Sequence, residues 1–168
     1  MPASSAFSDN LRENPSFSSS SDASEKPKPR LSADNLAFLN KIITAFPDLV
    51  FKPNKKFTFR PKKTIYYEIK NDHFPLLLLH ETAHALLNHY SFDTSLERLT
   101  IERDAWEKTR SLCKKFAQPF DEDFAEANLN TYRDWLHQKT LCKVCGLTCL
   151  EVSSTTLFCP FCQKTYHR

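Results

Sequence analysis

The segment PLLLLHETAHALL, residues 75–87, is the stretch from which the fold of this protein is best predicted. Pro75 suits the first turn of a helix, which we expect to run to about His89. Four residues spaced by three, four and three form one apolar face of that helix: Leu76, Leu79, Ala83 and Leu86. His80 and His84 lie four residues apart, so they project together from the adjacent face.

These two histidines can bind one metal ion. Imidazoles one helical turn apart can close on a single Zn²⁺ at about 2.0–2.1 Å each. Glu81 can reach the attacking water that the ion activates, act as its general base and pass the proton to the leaving amine. Ionisable groups in so apolar a helix would lower its stability unless a metal or partner satisfied them. We therefore predict a zinc metallopeptidase that hydrolyses a peptide bond in a protein substrate, with Glu81 as the catalytic residue.

A catalytic zinc takes three protein ligands and keeps one position open. The third ligand must come from outside the His-Glu-x-x-His motif, and five side chains are candidates: His89, Glu97, Glu102, Asp104 and Glu126. His89 follows His84 by five residues, so we expect it to point to another side of the helix. Glu102 is followed three residues later by the small Ala105, which would let its helix approach the metal helix closely.

The pattern His-Glu-x-x-His-x-x-Leu-x-His at residues 80–89, preceded by a Thr-Ile-Tyr strand, resembles the ImmA/IrrE-type metallopeptidases and related gluzincins. In those families a Glu in a Glu-x-x-Ala-(Asn/Asp) helix motif supplies the third zinc ligand. Residues 102–105, Glu-Arg-Asp-Ala, are similar to that motif, with Trp106 where Asn or Asp is usual. The resemblance implies that Glu102 is the third ligand, with Asp104 and Glu97 as rivals. It also points to a protein substrate such as a transcriptional regulator.

Two Cys-x-x-Cys pairs near the end of the chain predict a second zinc site. Its four ligands would be Cys142, Cys145, Cys159 and Cys162. Four thiolates form a closed tetrahedral site, which is structural and not catalytic. Gly146 fits the tight turn after the second Cys, and residues 152–158 can supply the hairpin of a zinc ribbon. We expect Cys149 to be packed and His167 to be exposed.

A His-Glu-x-x-His motif followed by a C-terminal zinc ribbon also resembles the SprT-like proteases. Their third zinc ligand is a His a little downstream of the motif, and this sequence has no His between His89 and His137. Basic and aromatic residues in the ribbon are of the kinds that bind nucleic acid. Two alternatives therefore stay open: a catalytically inactive zinc-binding regulator or scaffold, and a SprT-like DNA-associated protease.

The expected fold class is α+β, with a small antiparallel sheet packed on about three main helices in a zincin-like arrangement, and a C-terminal zinc ribbon. Further helices are expected over 32–46, 96–117 and 122–138. Strands are expected over 57–59 and 64–69, at or near the sheet edge because prolines flank them. The predicted divisions are a disordered Ser/Pro-rich tail at 1–30, a metallopeptidase domain at 31–139 and the zinc ribbon at 140–168.

Composition excludes several classes of binding partner and cellular location. The formal net charge is +3, which does not indicate a strong nucleic-acid binder or a membrane-surface protein. The single glycine, Gly146, excludes Gly-rich phosphate-binding loops. The longest apolar run is too short to span a bilayer and residues 1–30 show no secretory pattern. We therefore expect a cytoplasmic protein without membrane partners, whose cysteines are reduced and available for metal.

Overall fold

The computed structural model describes residues 31–60 and 62–167, so the tail predicted to be disordered, residues 1–30, lies outside the described residues. The described elements are, in chain order, α1 (Leu31–Ala45), β1 (Val50–Pro53), β2 (Thr58–Arg60), β3 (Thr64–Tyr67), α2 (Phe74–Leu86), α3 (Ser95–Phe116), α4 (Glu122–Thr140), β4 (Leu150–Ser153), β5 (Thr156–Phe158) and β6 (Thr165–His167). The predicted α+β class is confirmed. The described part has four helices, one at each of the four segments expected to be helical.

The first sheet has the strand order β1-β3-β2. Strand β2 runs antiparallel to β3, whereas β1 runs parallel to it, so the sheet is mixed and the expectation of an antiparallel sheet was wrong here. Lys62 and Lys63, both with positive φ, turn the chain from β2 into β3, and the Val50 N–H donates to the Lys63 carbonyl at 2.9 Å. Strand β2 lies at one edge and β3 is the central strand beside it, which agrees with the expectation that both lie at or near the sheet edge. Strand β1 ends at Pro53 on the other edge, where proline is tolerated.

Helix α2 lies between this sheet and α3. Pro75 occupies its first turn, as expected, and an Asx turn precedes it, in which Asn71 Oδ1 accepts from the His73 N–H at 2.8 Å. The buried side of α2 packs with Ile65 from β3, Ala105 from α3 and the other residues of one core. Leu86 was expected on the apolar face, but it is exposed, and Ala85 is buried in the last turn instead.

Helices α3 and α4 begin at side-chain caps. The Glu97 N–H donates to Thr94 Oγ1 at 3.1 Å, and the Phe124 N–H donates to Asp121 Oδ1 at 2.9 Å. Each bond satisfies one backbone donor that the first helical turn leaves without a partner. Helix α3 packs along α2 on one side and α4 on the other, so it carries its residues directly past the histidines of α2.

The second sheet, β4-β5-β6, is antiparallel throughout. It encloses a small core of its own, made of Cys142, Cys149, Leu157 and Cys159. Strands β4 and β5 form the expected hairpin, and β6 is a strand that the sequence did not predict. None of the helices in the described part is long and apolar enough to cross a membrane.

Candidate metal centres

Three metal-ligating side chains meet between α2 and α3. His80 and His84 come from successive turns of α2, and Glu102 comes from the second turn of α3. They are 6%, 3% and 5% exposed. Ala105, which has no exposed surface, keeps the two helices close at this point, as its small size predicts. A buried group of this kind needs protons or a metal ion to balance its lone pairs.

The distances within this His-His-Glu group fit a tetrahedral ion. The two Nε2 atoms of His80 and His84 lie 3.1 Å apart. Glu102 Oε2 lies 3.3 Å from the Nε2 of His80 and 3.4 Å from that of His84. A tetrahedral Zn²⁺ with bonds of about 2.0–2.1 Å separates its ligand atoms by about 3.3–3.4 Å. The three residues can therefore hold a metal ion, and the donor set suits zinc.

The other four candidates for the third ligand lie outside this group. Glu97 Oε2 accepts from the Asp93 N–H at 2.7 Å, so it serves the start of α3. Asp104 pairs with Arg103 at 2.8 Å, and Glu126 pairs with Arg133. His89 contacts the far side of the His84 ring. Of the five, the structure brings Glu102 alone into the His-His-Glu group among the described residues.

Burial and charge oppose each other in this group. Burial lowers the pKa of His80, and this outweighs the nearby negative charges of Glu102 and Glu81, which raise it. Burial alone would raise the pKa of Glu102, but the hydrogen bonds with His80 and His84 hold it well below its usual value. A neutral imidazole at His80 beside an ionised Glu102 carboxylate is the state in which these side chains bind a metal.

Glu81 and Trp106 border the group. Glu81 is 3% exposed and follows His80 on α2. The Trp106 ring stacks on the His80 ring, with centroids 4.1 Å apart and planes at 28°. His80 Nδ1 and Trp106 Nε1 are both buried and have no hydrogen-bond partner among the described residues. At the position where the resembled family has Asn or Asp, this chain has an indole ring stacked on His80.

Four cysteines form the second group, as the sequence predicted: Cys142, Cys145, Cys159 and Cys162. The Sγ atoms of Cys142 and Cys162 lie 3.6 Å apart, and those of Cys145 and Cys159 lie 3.5 Å apart. A tetrahedral Zn²⁺ with Zn–S bonds of about 2.3 Å needs sulfurs about 3.8 Å apart. This group can therefore also hold a metal ion.

Hydrogen bonds to the Cys142 sulfur favour its thiolate form, which is the form that binds metal. The Tyr166 hydroxyl lies 3.0 Å from it, and the N–H groups of Val144 and Cys145 point at it from 3.4 and 3.5 Å. Burial alone would raise the pKa of the Cys142 thiol, but these donors lower it to about 5. Cys149 behaves differently, since burial raises its pKa to about 11. It is packed and His167 is exposed, as expected.

Sequence reasoning missed three contributors to the two groups. These are the stacking role of Trp106, the hydroxyl contact of Tyr166 and the contact of His89 with His84. Each depends on how the chain folds back on itself, and spacing along the sequence gives no indication of it.

No family model matches the chain, and neither a curated protein nor a solved structure matches it. The assignment of function therefore rests on the geometry of the site.

Proposed function

We propose that this protein is a zinc metallopeptidase that cleaves a protein substrate at the His-His-Glu group. The observation that carries the proposal is the approach of three ligand atoms to 3.1–3.4 Å of one another beside the buried Glu81. Three protein ligands leave a fourth tetrahedral position open, which is the arrangement of catalytic zinc sites. When bound, the ion lowers the pKa of water and polarises a carbonyl.

The chain's own residues would supply the remaining chemistry. His80, His84 and Glu102 hold the centre in place, and Glu81 takes a proton from the attacking water as the oxygen adds to the peptide carbonyl. Glu81 then gives that proton to the nitrogen of the scissile bond, so the C–N bond breaks and an amine leaves. Burial strengthens these charge interactions, since little water screens them.

The ligand set favours one of the two resemblances. Two His on one helix and a Glu on the next correspond to the gluzincin pattern, whereas the SprT-like pattern needs a third His. We propose a structural zinc at the four cysteines, because their spacing suits a closed site and they lie apart from the His-His-Glu group in a separate core. A transcriptional regulator stays our proposal for the substrate.

The test is the substitution Glu81→Gln, which keeps the size of the side chain but removes the base. Casein digestion, followed by mass spectrometry, should fall by about 10²- to 10⁴-fold, while the zinc content per chain stays that of the wild type. Glu107→Gln on the exposed side of α3 is the matched control and should digest casein normally.

Equal digestion by the Glu81→Gln and wild-type proteins would refute the peptidase mechanism. A wild-type protein that holds zinc in both groups and cleaves nothing would favour the zinc-binding regulator or scaffold instead. The buried Nδ1 of His80, which has no partner among the described residues, is the observation that keeps this second candidate in view, because that ligand lacks the usual outer support.

A further inference from the structure

His89 lies against the outer side of a metal-ligand histidine. Its Nδ1 is 3.1 Å from Nδ1 of His84, and the two rings meet edge to face with centroids 5.2 Å apart. His84 uses its other nitrogen, Nε2, toward His80 and Glu102. His84 is therefore held from both sides, although His89 was expected to point elsewhere.

The end of α2 explains why that expectation was wrong. Asn88 has φ of 55°, and its N–H donates to the Ala85 carbonyl at 3.3 Å. The His89 N–H donates to the His84 carbonyl at 3.0 Å. These two bonds and the left-handed residue form a Schellman motif. The chain therefore leaves the helical path after Leu87 and folds His89 back onto the last turn.

The contact between the two Nδ1 atoms can hold a single proton, because one nitrogen must donate and the other accept. When His84 presents the lone pair of Nε2 to an ion, its proton lies on Nδ1. It must then donate to His89 Nδ1, and His89 carries its own proton on Nε2. Within the described residues His80 has no such partner on Nδ1.

We infer that His89 is a positioning residue for the metal centre, which fixes His84 in the tautomer and ring orientation that present Nε2 to the ion. This inference rests on the proposed zinc site, but not on its peptidase activity. Outer partners of ligand histidines commonly change metal affinity by about 10- to 100-fold when removed. His89 is thus assigned neither as a ligand nor as a catalytic residue.

The experiment compares two substitutions of nearly equal shape. In His89→Asn, the amide oxygen can take the place of the ring Nδ1 and still accept from His84. In His89→Leu, no acceptor remains. Zinc affinity is measured by chelator competition on the full chain, with the four-cysteine zinc as the internal reference in each protein. We expect about 10- to 100-fold weaker binding at the His-His-Glu group for His89→Leu, and a change below about threefold for His89→Asn.

A second readout is the Nδ1 proton of His84 in the zinc-loaded protein, observed by NMR with nitrogen-15 labelling. With Nε2 on the ion, wild type and His89→Asn should give a downfield Nδ1–H signal that exchanges slowly with water, because residue 89 accepts from it. In His89→Leu no acceptor remains, so the signal should move upfield and exchange faster. Equal loss of affinity in both variants, or an unchanged Nδ1–H signal in His89→Leu, would overturn the inference. Zinc binding without peptide hydrolysis would instead remove the peptidase proposal, and the Asn and Leu comparison would still decide the role of His89.

Discussion

At the residue scale, the two turns that contain the Cys-x-x-Cys pairs each end in a residue with left-handed backbone conformation, but the residue types differ. Gly146 has φ of 72° and Gln163 has φ of 57°. Their N–H groups donate to the carbonyls of Cys142 and Cys159, at 3.0 and 2.8 Å. The turns are therefore equivalent in geometry, but only the first has the residue that adopts a left-handed conformation without strain.

This equivalence predicts opposite effects for two substitutions. A Cβ on Gly146 would meet no atom within 4 Å, so Gly146→Ala costs backbone strain alone, about 1 kcal/mol, or roughly fivefold in zinc affinity of the four-cysteine group. Gln163→Gly should strengthen that affinity by about 0.5 kcal/mol, since relief of strain exceeds the entropy cost of glycine. Chelator competition measures both. A Gln163→Gly protein as weak as Gly146→Ala would show that side-chain contacts decide the turn.

At the element scale, the second sheet is attached to the helix that carries Glu102. Glu151 in β4 accepts hydrogen bonds from the Ser95 N–H at 2.8 Å and from the Ser95 hydroxyl at 3.1 Å. Ser95 is the first residue of α3, so the carboxylate lies at the positive end of the helix dipole. Charge and hydrogen bonding thus act together at a contact that joins residues 56 positions apart.

We predict that Glu151→Gln lowers the free energy of unfolding by about 1 kcal/mol, because it removes the charge that the dipole favours. Hydrogen exchange should quicken at the first amides of α3, and added salt should narrow the difference from wild type. Glu126→Gln in α4, which also removes one negative charge, is the control and should leave exchange in α3 unchanged. Faster exchange in the control as well would mean that overall charge is responsible.

At the scale of the whole molecule, the two candidate metal groups are associated with two separate hydrophobic clusters. The larger cluster contains residues of α1 to α4 and the first sheet, and the smaller one contains residues of the second sheet and its cysteine turns. Among the described residues, none belongs to both clusters. This separation agrees with the predicted boundary at residues 139 and 140, which stays a prediction, and α4 ends beside it at Thr140.

Metal content should reveal two independent sites. Elemental mass spectrometry of the wild type should find two zinc ions per chain, falling to one when Cys159 and Cys162 are replaced by Ser. Helical circular dichroism should persist in that variant, while trypsin should gain access to Lys143 and Lys164, because a small metal domain unfolds without its ion.

The reciprocal variant carries His80→Ala, His84→Ala and Glu102→Gln, so that no buried carboxylate is left unpaired. It should also hold one zinc ion, with the four-cysteine group intact. One zinc ion in the wild type and in this variant would show that the His-His-Glu group does not bind zinc. Loss of the helical dichroism in the Cys variant would contradict the independence of the two clusters.

Local patterns were enough to predict much of this. The helix from Pro75, the pair of histidines one turn apart and the two Cys-x-x-Cys turns each depend on residues a few positions apart. The periodicity of α1 was less informative: Leu36 and Ile43 matched the pattern but are exposed, whereas Asn35 is buried and donates to the Ile69 carbonyl at 2.8 Å. Asn35 can therefore take a buried position on the inner face of α1, because the Ile69 carbonyl accepts its hydrogen bond.

The sequence alone determined which residues can bind metal within each motif, because His80 and His84, or the two cysteines of a turn, are neighbours in any helix or turn of the expected kind. Only the tertiary structure decided that Glu102 completes the first group, that Trp106 stacks on His80 and that His89 returns to His84. It also placed β3 at the centre of a mixed sheet. These features depend on the approach of separate elements and on one left-handed residue at a helix end, and neither is fixed by spacing along the chain.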